Sequence, residues 1–118
     1  MKKIVVYTAI FGGCDDLRDP KFVPDNCDFV CFTDSDFESD IWDVRKVVPF
    51  YEQPVRNSRY YKTKPHIYLS EYEVSIWMDG TFRNGSLWDG KVYEYDADGI
   101  IMKVKVYKNG KYHSDGQF

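Results

Sequence analysis

Six Asp-Gly or Asn-Gly pairs fall within the 38 residues that begin at Asp79: 79–80, 84–85, 89–90, 98–99, 109–110 and 115–116. Between β-rich runs such pairs are the strongest short hairpin signals, because their backbones tolerate the left-handed conformations of tight turns. Lys91–Asp96 and Ile101–Lys108 flank Asp98-Gly99, and the chain returns from Lys111 after Asn109-Gly110. The pattern predicts an up-and-down antiparallel β-meander. It is quasi-repetitive: Tyr93–Gly99 (YEYDADG) is echoed by Val104–Gly110 (VKVYKNG).

The first 80 residues have a different texture. Lys3–Ile10 is a nearly continuous apolar run, as in a central strand covered on both faces, and the pair Gly12-Gly13 ends it. Asp28–Thr33 predicts a second strand with Asp34 at its end, and Ile41–Val48 a third, at a sheet edge, stopped by Pro49. Pro54–Ser70 predicts a helix kinked or split near Lys64 by Pro65. Tyr72–Met78 predicts a fourth strand, ending in Asp79-Gly80. That pair reads either as a turn or as a strand tip delivering a carboxylate for a divalent cation. A module boundary is drawn near Thr81.

Charge sharpens the picture. The chain carries a net −3, which argues against a general nucleic-acid binder. Between Asp15 and Asp43 ten acids stand against Arg18 and Lys21; between Arg45 and His66 six bases stand against Glu52 alone. A basic block in an acidic chain is a candidate anion site, and Arg59, Lys62 and His66 recur at helical spacing. No apolar run reaches the roughly 18 residues of a membrane span. The N-terminus lacks the features of a cleaved signal, so a cytoplasmic protein is expected. Cys14, Cys27 and Cys31 match no standard metal spacing, and buried thiols are expected.

Four ordered motifs, YTAIFGG (7–13), DFVCFTD (28–34), RNSRYYKTKPH (56–66) and SIWMDG (75–80), resemble the N-terminal half of a glycosyltransferase-like family that includes plant cell-wall proteins. The resemblance implies an α/β fold with a Rossmann-like, mostly parallel sheet, half of an A-type glycosyltransferase, followed here by the antiparallel meander. It implies a nucleotide-sugar of the uridine diphosphate type as ligand. Thr8, Phe11 and Gly12 would lie against the nucleotide, Asp34 would contact base or ribose, and Arg59, Lys62 and His66 would face the diphosphate. Asp79 would hold Mn²⁺ or Mg²⁺, although the second acidic position of the family's Asp-x-Asp motif is Thr81 here. Residues 84–118 resemble MORN-type hairpin repeats. The chain thus divides into a nucleotide-sugar-binding half, 1–80, and a hairpin tail, 81–118. Two functions are expected from this mosaic: donor binding, with or without turnover, or a non-enzymatic interaction module. A homodimer or another protein partner is expected, and no nucleic acid or membrane.

Overall fold

The computed structural model describes residues 3–13, 16–20, 22–83 and 86–116. Seven strands and two short helices follow one another: β1 (Ile4–Ile10), β2 (Cys27–Thr33), β3 (Trp42–Lys46), α1 (Pro54–Lys62), α2 (Pro65–Tyr68), β4 (Val74–Arg83), β5 (Ser86–Asp96), β6 (Ile101–Lys108) and β7 (Lys111–Asp115). All strands join one sheet in the order β3-β2-β1-β4-β5-β6-β7. The β1–β2, β2–β3 and β1–β4 pairs are parallel, and the three pairs from β4 to β7 are antiparallel.

The fold is therefore a small, β-rich mixed sheet. The expected mostly parallel, Rossmann-like α/β sheet is not what forms. Among the described residues helix is confined to nine residues of α1 and four of α2, both in the β3–β4 connection. Among the described residues neither the β1–β2 nor the β2–β3 connection contains a helix. With one helical crossover among the described residues, the helices they form layer one face of the sheet. This also corrects the reading of β1 as covered on both faces. Val5, Tyr7 and Ala9 are buried under the helices, whereas Ile4, Val6 and Thr8, on the other face, remain half-exposed.

Aromatic rings build the core beneath the helices. Tyr61 stacks on Phe32 with ring centres 4.6 Å apart and on Phe11 at 5.7 Å, and Tyr7 meets Trp77 edge-on at 5.2 Å. Tyr95 joins the same cluster from the meander. The helix layer is tied down by polar links as well. Tyr7 Oη donates to the carbonyl of Lys62 at 2.5 Å, satisfying one of the carbonyls that a helix end leaves open. Asn57 is buried and its amide makes contacts with the backbone of Phe50, Tyr51 and Gln53, shaping the entry to α1.

Two of the Gly pairs do not make turns. Asp79-Gly80 and Asp89-Gly90 lie inside β4 and β5, where Asp79 pairs with Lys91 and Gly80 with Gly90. The boundary drawn at Thr81 thus falls within β4, whose sheet the meander continues. Asp98-Gly99 and Asn109-Gly110 do turn, with φ of +79° at Gly99 and +53° and +77° at the second pair. Asn84-Gly85 and Cys14 lie outside the described residues. Cys27 and Cys31 are buried. Among the described residues no helix is long and apolar enough to cross a membrane.

Candidate functional site

The β1–β4 ladder runs only from Ile4–Val74 to Tyr7–Trp77. Beyond it β1 stays with β2 as far as Ile10–Thr33, while β4 follows β5 to Arg83–Ser86. The sheet therefore opens between two parallel strands at their carboxyl ends, the place where such sheets gather ligands.

Two residue pairs flank the opening. On the β1–β2 side the chain turns at Gly12 and Gly13, both left-handed at φ +67° and +66°. The Gly12 N–H donates to Asp34, 3.1 Å from Oδ1 and 3.4 Å from Oδ2, so the carboxylate after β2 holds the turn after β1. Among the described residues nothing lies within 4 Å of where a Cβ on Gly13 would sit, which leaves that backbone open to close approach. On the β4 side Asp79 projects a carboxylate that is 61% exposed, and Lys62 Nζ reaches it at 3.4 Å. The same ammonium lies 3.9 Å from the centre of the Tyr93 ring. Ser58 Oγ donates to the carbonyl of Ala9 at 3.0 Å, fastening α1 to the end of β1.

The remaining predicted site residues are dispersed. Phe11 is buried and stacked on Tyr61. Thr8 lies on the face away from the helices. Arg59 is exposed on α1. His66 sits against Gly99, in the β5–β6 turn beside the start of β4, at the opposite edge of the sheet from Asp79. Helical spacing suggested one basic stripe. However, α1 and α2 run down the sheet, and seven residues of helix span about 10 Å. Residues on one stripe therefore reach different edges.

Sequence reasoning did not single out Tyr93, Ser58 or the role of Trp77. Trp77 is only 6% exposed, and its Nε1 has no hydrogen-bond partner among the described residues. Tyr93 belongs to the echoed YEYDADG segment, which reads as hairpin surface until β5 is paired with β4. Tyr95, two residues on, is pushed up to about 12, first by burial and then by the neighbouring Tyr93 and Asp79. No family model matches the chain, and neither a curated protein nor a solved structure does.

No three His, Cys, Asp or Glu side chains converge on a metal position among the described residues. A lone carboxylate facing an ammonium does not by itself make a divalent-cation site, since such ions take six or more oxygens. Nucleotide phosphates would have to supply most of them.

A concavity of about 1380 Å³ takes in the opening between β1 and β4, reaching from Ser58 on α1 and Trp77 through to the strand face away from the helices. Its floor includes Ile4, Val6, Ile76 and Met78, the loop Asp16–Pro20 borders it, and Thr8 and Asp79 lie along it.

Proposed function

We propose that this chain binds the diphosphate portion of a nucleotide-sugar at the opening between β1 and β4. The observation that carries the reading is the parting of the two strands after Tyr7 and Trp77, with an open glycine turn on one side and Lys62 on the other. Lys62 supplies the cation, held in place by Asp79 and Tyr93. The Gly12-Gly13 backbone allows a phosphate to come close, and Asp34 keeps that turn in shape. The resemblance of the four motifs to a glycosyltransferase-like family supports the same class of ligand. Donor binding is the proposed activity; none of the groups described has the position of an acceptor base.

Titration with uridine diphosphate, followed by tryptophan fluorescence, tests this directly, because Trp77 adjoins the opening. Saturable binding is expected with or without manganese. Lys62→Ala is expected to weaken it about tenfold, equivalent to about 1.4 kcal/mol. Manganese-dependent binding that Asp79→Ala abolishes would add a metal held jointly by protein and phosphate. No saturation at millimolar nucleotide would overturn the proposal. The second reading, an interaction module, is supported by a different feature, the half-exposed apolar strip of Ile4, Val6, Ile76 and Met78 on the face away from the helices.

A further inference from the structure

We infer that Asp79 is a latch on the anion site: in the free protein its carboxylate occupies the ammonium of Lys62, and an incoming diphosphate displaces it towards Lys91. This latch presupposes the diphosphate site proposed above and sets how tightly that site can hold an anion.

The ion pair is lopsided. Lys62 Nζ and Asp79 Oδ2 are 3.4 Å apart, but the lysine side chain is 21% exposed and the aspartate side chain 61%. Lys62 also lies 3.9 Å from the centre of the Tyr93 ring, and Tyr93 itself packs against the buried aromatic cluster. Of the two groups that meet the ammonium, the ring is fixed in the sheet and the carboxylate stands in water. The carboxylate is therefore the member that can give way.

It has reason to do so. Two negative charges about 4 Å apart oppose each other by roughly fivefold in an equilibrium constant even at the dielectric of water. A diphosphate brings more than one negative charge to the ammonium that Asp79 already faces. An Asp79 that stayed in place would work against the ligand.

A second cation is waiting. β4 and β5 pair Asp79 with Lys91, so the two side chains stand opposite one another on one face, with Cβ atoms about 5 Å apart. Lys91 is exposed, and among the described residues it takes part in none of the ion pairs. A rotamer change of Asp79 then exchanges one ammonium for the other while the strand stays where it is. Lys91 is a positioning residue in this scheme, because it acts on the ligand through Asp79. An ordinary tie between α1 and β4 would behave in the opposite way: its removal would loosen Lys62 and weaken the hold on an anion.

Isothermal titration calorimetry of the full chain with uridine diphosphate, in buffer freed of metal by a chelator, tests the latch. Asp79→Asn keeps the shape of the side chain and removes its charge. It is expected to bind about five- to tenfold more tightly than the wild type. Lys91→Gln is expected to weaken binding about fivefold in the wild type and less than about twofold in the Asp79→Asn background, where no carboxylate has to be handed over. Both positions are exposed, so unchanged circular dichroism is expected throughout. Binding by Asp79→Asn alone would support site and latch together. Wild-type binding that Asp79→Asn leaves equal or weakens would overturn the latch and leave the diphosphate site standing. Equal losses from Lys91→Gln in the two backgrounds would overturn the handover to Lys91. No binding by either protein at millimolar nucleotide would overturn the site and the latch with it.

Discussion

Tyr7 shows how one side chain serves two layers. Its ring packs on Trp77 in the sheet and its hydroxyl closes the end of α1. Burial pushes its ionisation far up, with a smaller push from Tyr95. Tyr72 moves the same way, through burial and then its hydrogen bond to Asp28. Tyr95 and the Cys31 thiol are each pushed up to about 12, burial being the leading cause. All four keep their proton in the folded chain at a pH where the unfolded chain has lost it. The stability they lend is complete below the unfolded values, about 8.5 for Cys and 10 for Tyr, and is lost as pH rises towards the folded ones. The urea midpoint is therefore expected to hold level from neutral pH until about pH 8.5, then fall steadily to about pH 12. Tyr95→Phe should flatten that fall; an unchanged alkaline limb would remove Tyr95 from the account. Asn57→Ala is expected to cost about 2–4 kcal/mol in a denaturant titration, because it leaves several buried backbone groups unpaired at once.

Turns decide how the elements meet. Gly99 sits at φ +79°, and a Cβ there would lie 2.5 Å from His66 Nδ1. Two separate penalties follow, a backbone one and a steric one. Gly99→Ala is expected to destabilise by about 2–3 kcal/mol; in a His66→Ala background the loss should shrink to the backbone share of about 1 kcal/mol. Equal losses in both backgrounds would mean that His66 does not press on the turn. Element boundaries were largely legible. Apolar runs gave β1, β2 and the edge strand β3, and Pro54 and Pro65 marked the starts of α1 and α2. The misreadings were Asp79-Gly80 and Asp89-Gly90. A local pair cannot tell whether it ends a strand, because that depends on whether neighbouring strands continue to pair. Here β4 and β5 pair with one another through both glycines.

At the scale of the whole molecule, the meander completes the core and is not an appendage. Tyr95 belongs to the buried cluster, Tyr93 and Ile101 pack against it, and β5 is the partner β4 follows after leaving β1. A chain ending at residue 80 is expected to show no cooperative thermal transition, since β4 would lose its antiparallel neighbour and the cluster one wall. A sharp two-state melt for residues 1–80 would make the first half an independent domain.

What the sequence determined by itself was local: which segments extend or coil, where prolines break the helix, and which glycines can turn. These follow from backbone sterics and side-chain periodicity, which act over a few residues. Tertiary structure alone decided three things. It set the proportion of parallel to antiparallel pairing, which depends on the one helical crossover. It separated Lys62 from His66 although both share a helical spacing. It also brought Tyr93 under Lys62 and left the strip of Ile4, Val6, Ile76 and Met78 half-exposed, because those outcomes depend on pairings between strands far apart in the chain.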